Sequence, residues 1–192
     1  MSKQTLWIDM DEVICNFLNK LLCQCKEKLN IDIKLPDIKQ WELKQYIGEE
    51  GIKLFNTPGF FIDLKPIDGS IKYLKKLHNE EHKTFIISSP QNEYCAFEKY
   101  QWVKKHLSFF PIGNLILVGN KGDLLSKIYD GILFDDCGKY LEMFRGTSVA
   151  MDMPYNQNVQ SEYRVSSWED FYYVVKSLEI SNRTNRIQNI HI

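Results

Sequence analysis

Thr5-Leu-Trp-Ile-Asp9-Met-Asp-Glu-Val13 is the stretch on which the reading of the fold turns. A short apolar run stops abruptly at acid, the pattern of a buried strand feeding a loop. Downstream, apolar residues fall at Val13, Ile14, Phe17, Leu18, Leu21, Leu22, Cys25 and Leu29, a helical stripe reaching about Asn30. Residues 31–63 mix Trp41, Tyr46, Phe55, Phe60 and Phe61 with Pro36, Pro58 and Gly59, which predicts short helices and loops. Beyond Pro66 the pattern becomes regular. Helices are predicted over Ile67–Asn79 (with Asp68 as N-cap), Glu93–Leu107, Leu124–Tyr129 and Trp168–Leu178, with a helical turn at Lys139–Phe144. Strands are predicted at Lys83–Ser88, Leu115–Val118, Ile132–Phe134 and Ser148–Met151. Short buried strands alternating with helices mean an α/β fold: a parallel, Rossmann-like sheet flanked by helices. The interval after the first strand is too long for a plain crossover. Residues 1–13 and 65–180 therefore read as the core domain, 14–64 as an inserted helical cap, and 181–192 as a frayed tail.

Composition narrows the function. Twenty-four Lys+Arg stand against 25 Asp+Glu in 192 residues, a net charge of −1, without the basic excess of a nucleic-acid binder. A 44% hydrophobic fraction rules out a disordered chain. The longest apolar runs, such as Asn114–Val118, fall far short of the ~18–20 residues a bilayer needs. The apolar run after Met1-Ser-Lys-Gln stops at Asp9, short of a signal-peptide h-region, so no secretory signal is expected and the chain reads as cytoplasmic. Five cysteines, an odd number without a C-x2-C pair, read as reduced and mostly packed thiols.

In an open parallel sheet, ligands bind beyond the carboxyl ends of the strands. Three predicted strands end there in polar residues: Asp9-Met-Asp11, Ser88-Ser89-Pro90 and Asp135-Asp136. Twelve aspartates in 192 residues make any one of these pairs unsurprising, and each could be a separate helix cap. Their shared placement on one sheet edge is the signal. Carboxylates gathered there repel one another unless a hard cation holds them, and Mg²⁺ takes one or two carboxylates plus phosphate oxygens.

Asp9-Met-Asp-Glu-Val13 resembles the first motif (Asp-x-Asp-x-Val/Thr) of the haloacid dehalogenase (HAD) superfamily, with Ser88, Lys99 and Asp135-Asp136 standing where its later motifs fall. Ile8–Phe17, Gly59–Pro66, Ile87–Pro90, Glu98–Val103 and Ile132–Asp136 narrow the match, in order, to the 5′(3′)-deoxyribonucleotidases. The resemblance implies an Mg²⁺-dependent phosphatase that hydrolyses deoxyribonucleoside monophosphates through an aspartyl-phosphate. Asp9 would be the nucleophile and Asp11 the general acid and base. The metal would be held by Asp9, the Asp11 carbonyl and Asp136, with Asp135 as a supporting partner or the alternative ligand. Ser88, Ser89, Lys99 and Lys121 would bind phosphate, and Phe17 and Trp41 would contact the base. The family also implies a homodimer. Two positions depart from its pattern: Glu12 stands where Gly is frequent and places a carboxylate near the site mouth, and Gly119 replaces an Arg. The alternatives are a superfamily phosphatase acting on another small phosphate ester, and a non-catalytic nucleotide-binding protein.

Two other patterns mislead. Asn120-Lys-Gly-Asp123 imitates the guanine-reading motif of GTPases, but no G-x4-G-K-[ST] accompanies it. His78 and His82, four residues apart, read as the polar, solvent-facing end of a helix rather than a metal pair.

Overall fold

The computed structural model describes residues 3–188. β1 (Thr5–Ile8) lies at the centre of a six-stranded, fully parallel sheet. On one side it pairs with β2 (Lys83–Ser88), which pairs in turn with β3 (Leu115–Leu117). On the other side follow β4 (Ile132–Asp135), β5 (Thr147–Met151) and β6 (Tyr163–Val165). The order β3-β2-β1-β4-β5-β6 reverses direction at β1, the point where a parallel sheet opens a crevice beyond its carboxyl ends.

Strand alternation sorts the core into two layers. Leu6, Ile8, Ile86, Phe134 and Val149 point to one face, where they meet α3 (Ser70–Asn79), α4 (Glu93–His106) and α7 (Trp168–Gln188). Ile87, Leu133 and Ala150 point to the other, against Leu125 of α5 (Lys121–Leu125) and Leu141 of α6 (Gly138–Met143). Helices on both faces explain why these strands read as continuous apolar runs. Trp7 and Phe85, register partners, stack at 4.6 Å. Between β1 and α3 the chain forms α1 (Phe17–Leu29) and α2 (Lys44–Phe55), whose apolar sides join the first core layer.

Several boundaries differ from the sequence reading. Helix α1 begins at Phe17, not Val13, because residues 10–15 fold into a tight loop: Ile14 and Cys15 N–H both donate to the Met10 carbonyl, and Glu12 sits at φ +55°. Asn16 then caps α1 by accepting from the Asn19 N–H. Asp68 is not the cap of α3. Gly69 takes that place in the left-handed region at φ +75°, which a glycine adopts without strain. Helix α5 starts at Lys121 instead of Leu124, because the Asn120 side chain accepts from the Gly122 N–H and nucleates it. The GTPase-like Asn120-Lys121 pair is thus a helix cap. The three-residue edge strand β6 has no apolar run to mark it in the sequence, since exposed Arg164 stands at its middle. Helix α7 runs on to Gln188, beyond both its predicted end at Leu178 and the start of the expected frayed tail. The last part of that tail, 189–192, lies outside the described residues. His82 does not face solvent: α3 ends at Asn79, and His82 is buried beside Glu179 of α7, 3.2 Å away.

Candidate active site

The backbone places the acids first. The Asp9 N–H donates to the Phe134 carbonyl at 2.9 Å, extending the β1–β4 ladder by one residue and fixing Asp9 at the mouth of the crevice. The tight loop that follows returns Asp11 to the same end of the sheet. Asp135 closes β4 and Asp136 follows it. Carboxylate oxygens of Asp9, Asp135 and Asp136 lie within 4.8 Å of one another, all buried.

Two buried lysines organise these acids. Lys121 donates to Asp9 Oδ1 at 2.5 Å and to Asp135 Oδ2 at 2.7 Å. Lys99, fully buried on α4, donates to Asp11 Oδ2 and to Ser88 Oγ, the latter at 2.9 Å. A helix lysine read alone is expected in solvent; here the sheet edge swallows it. Burial opposes the charge on both ammoniums. Asp135 and Asp9 outweigh it for Lys121, and Asp11 for Lys99, so both are held above the usual lysine range. Ser89 Oγ accepts from the Lys121 backbone N–H at 2.9 Å, tying the end of β2 to the start of α5.

The carboxylates differ in what they have left to offer. Both Asp135 oxygens are engaged, Oδ1 by the Cys137 N–H at 2.9 Å and Oδ2 by Lys121. Asp136 Oδ2 accepts from the Tyr155 hydroxyl at 2.5 Å, while Oδ1 is buried with no hydrogen-bond partner. Burial, then the charges of Asp9 and Asp135, push the Asp136 carboxyl well above its usual range. Burial likewise raises Asp9 to about 7, with Lys121 opposing and Asp135 and Asp11 adding to the rise. Four carboxylates against two ammoniums leave an excess of two negative charges when all are ionised, and one bare buried oxygen within the cluster. A hard divalent cation fits that donor set.

The cavity above this cluster has a volume of about 370 Å³. Its floor includes Asp9, Asp11, Ser88, Ser89, Lys99, Lys121 and Asp136, so the structure brings nearly every residue singled out from the sequence to one place. Phe17 and Trp41 line the same cavity, joined by Phe55 and Phe61. Phe17 is buried in an aromatic cluster, stacked 5.8 Å from Phe61 and edge-on to Phe55 and Phe60. Trp41 is 44% exposed and rests on Tyr155, ring centroids 5.2 Å apart. A Cβ at Gly119 would meet nothing within 4 Å.

Glu12 is not at the mouth. It is 4% exposed, and its carboxylate accepts from the Leu18 N–H in the first turn of α1. Burial pushes its carboxyl up to about 7, with the Leu18 N–H opposing. Two further residues escaped the sequence reading. Glu98, adjacent to Lys99, accepts from the Gly59 and Phe61 N–H groups and pins the end of the inserted segment to α4. Tyr155 reaches Asp136 from a loop after β5. Glu98 could have been found from its place inside Glu98–Val103; no local signal marks Tyr155.

The model of the family described as "5' nucleotidase, deoxy (Pyrimidine), cytosolic type C protein" matches residues 3–180. The chain belongs to this family. It is a phosphomonoester hydrolase of the nucleotidase class on a HAD-type fold. The Bacillus subtilis 5′(3′)-deoxyribonucleotidase is 26% identical over 170 residues, covering 88% of this chain and 96% of that one. A Staphylococcus epidermidis protein, named provisionally as a 5′(3′)-deoxyribonucleotidase, is 30% identical over 183 residues, covering 93% and 99%. Among solved structures, a Bacillus subtilis protein provisionally titled a HAD-hydrolase, bound to magnesium, superposes with a TM-score of 0.59 at 13% identity, over 91% of this chain and 99% of that one. At that identity the likeness speaks to the fold alone.

Proposed function

We propose that this nucleotidase hydrolyses deoxyribonucleoside 5′- or 3′-monophosphates with Mg²⁺ and an aspartyl-phosphate intermediate formed on Asp9. The observation that carries the reading is that each of the two acids is paired with its own buried lysine, Asp9 with Lys121 and Asp11 with Lys99. Asp9 Oδ1 is held, so the carboxylate presents Oδ2 to phosphorus in one orientation. With the Lys99 ammonium turned to the phosphoryl oxygens and Asp11 protonated, the departing sugar oxygen takes the Asp11 proton; Asp11 is the more solvent-accessible of the two acids, its side chain 23% exposed against 8% for Asp9. The Asp11 carboxylate then takes a proton from water as that water attacks phosphorus, releasing phosphate and restoring Asp9. Ser88, Ser89, Lys99 and Lys121, which line the same cavity, would surround the phosphoryl oxygens. Two ammoniums in a buried site act where charge is weakly screened.

Asp9, the Asp11 carbonyl and Asp136 would hold the cation, which supplies charge neutralisation and orientation of the phosphate. Asp136 Oδ1 is the oxygen without a partner, whereas both Asp135 oxygens are spent, which favours Asp136 as ligand and Asp135 as support. The superposed Bacillus subtilis structure, alike in fold, is bound to magnesium.

Residues 14–64 act as the cap. A cavity of about 370 Å³ walled by Phe17, Trp41, Phe55 and Phe61 suits one nucleoside rather than a polymer end. Phe17 and Trp41 would flank the base; a tight slot between them would favour a pyrimidine, and an apolar lining beside the sugar would disfavour a 2′-hydroxyl. The expected preference is dUMP or dTMP over dAMP and UMP. The five free cysteines suit the reducing cytoplasm, and among the described residues no helix is long and apolar enough to cross a membrane. A panel of phosphate esters assayed with and without Mg²⁺ tests the proposal. Phosphate release from deoxyribonucleotides only with Mg²⁺ supports it; a preference for a non-nucleotide ester, or full activity in EDTA, overturns it.

A further inference from the structure

Tyr155 stands behind the cavity wall and touches two residues that line it. Its hydroxyl donates to Asp136 Oδ2 at 2.5 Å, and its ring packs on Trp41 at 5.2 Å, tilted by 57°. The ring itself is buried, 8% exposed. The next residue anchors the loop. Asn156 Nδ2 donates to the Asp136 and Met151 carbonyls at 2.8 and 2.7 Å, and its Oδ1 accepts from the Met153 N–H and from Arg164. Arg164 also donates to the Asn156 carbonyl at 2.9 Å. Tyr155 is therefore held from the core side, by β4, β5 and β6. Trp41 is the opposite case: residues 39–42 are exposed, and the indole rests on the tyrosine.

We propose that Tyr155 is a positioning residue that joins the two halves of the site, fixing Asp136 with its hydroxyl and seating Trp41 with its ring. The inference rests on the proposed cation site and base contact, and adds a coupling between them. The hydroxyl occupies one carboxylate oxygen, so Asp136 is left with a single free oxygen, Oδ1, inside the Asp9–Asp135–Asp136 cluster. Without the hydroxyl the carboxylate can rotate, and the cation loses a pre-oriented ligand. A base resting on Trp41 presses the indole onto Tyr155 and steadies the same hydrogen bond. Occupancy of one half thus strengthens the other, and the effect is reciprocal.

The test is calorimetric titration of metal-free protein with Mg²⁺, with and without saturating deoxyuridine, a nucleoside that reaches the base slot but carries no phosphate. In the wild type, deoxyuridine should tighten Mg²⁺ binding by about fivefold or more, the lower end of the usual range of coupling between sites. Tyr155→Phe keeps the ring but not the hydroxyl; it should weaken Mg²⁺ binding about tenfold, the lower end of what loss of a supporting partner costs, and abolish the deoxyuridine effect. Trp41→Ala, at an exposed position, should leave Mg²⁺ affinity within about twofold and abolish the deoxyuridine effect, which keeps the test open should Tyr155→Phe fold poorly. Mg²⁺ affinity unchanged in Tyr155→Phe, or a deoxyuridine effect that survives in either variant, overturns the coupling alone. Equal Mg²⁺ binding by wild type and Asp136→Asn overturns the cation site, and the coupling with it.

Discussion

Replacing Glu12 by Gln should make the metal-free protein more stable, by an amount that grows with pH. Glu12 is 4% exposed, and its carboxyl is pushed from 4.5 up to about 7, chiefly by burial. A carboxyl whose folded pKa exceeds its unfolded one contributes stability that is fully present below about 4.5 and is lost as pH rises through about 7. The difference between 4.5 and about 7, at ~1.4 kcal/mol for each tenfold, comes to roughly 3 kcal/mol. Gln keeps an oxygen to accept from the Leu18 N–H and keeps the same backbone at φ +55°, so neither the helix start nor the left-handed conformation enters the comparison. Asp9, also raised to about 7, titrates in both proteins and largely cancels. Urea unfolding of both proteins in EDTA at pH 5, 6, 7 and 8 measures the effect. The stability gained by Glu12→Gln should increase by roughly 2–3 kcal/mol between pH 5 and pH 8 and flatten above 7. A difference that is constant across this range, or that shrinks as pH rises, would show that Glu12 is not a charge held against burial.

Asp9→Asn should abolish turnover, because an amide is a poor nucleophile, while Asp11→Asn should lose about 10²–10⁴ in kcat yet bind Mg²⁺ with near wild-type affinity. Calorimetry beside steady-state kinetics separates the two, and equal loss of metal affinity in both contradicts the assigned roles. Trp41→Ala should lower kcat/KM for dUMP and dTMP by the worth of one stacked base, about 1–3 kcal/mol, and narrow the gap to dAMP and UMP; four unchanged values refute base contact at Trp41. His82, its pKa lowered chiefly by burial, binds its proton less readily folded than unfolded, so its contribution is complete above about 6.5 and is lost on acidification below it. The stability difference between wild type and His82→Gln should accordingly fall as pH drops from 7 to 5, and a flat difference in urea unfolding argues otherwise.

What could be read from the chain follows from what is local. The strands carrying Ile8, Ile86 and Phe134 are covered on both faces, so their apolar runs are unbroken and their ends are marked by acid or serine. Asp9, Ser88 and the Asp135-Asp136 pair were legible because each stands at the end of such a run. Lys99 was legible only through the order of the resembling segments, since helix periodicity assigns it to solvent and the fold buries it. Boundaries failed where a side chain overrides periodicity: Asn120 starts α5 early, and the loop of residues 10–15 delays α1. The burial of Glu12 and His82, and the reach of Tyr155 to Asp136 across 19 residues, depend on packing between distant segments and leave no local trace.

The covalent role proposed for Asp9 is tested most directly by rapid acid quench of the wild type turning over ³²P-labelled dUMP with Mg²⁺. Phosphate bound to protein should appear in the first turnover, be released by hydroxylamine as an acyl phosphate is, map to Asp9 and be absent from Asp9→Asn. Labelled inorganic phosphate appearing with no protein-bound phosphate at any quench time, under conditions where product release shows a burst, would contradict it.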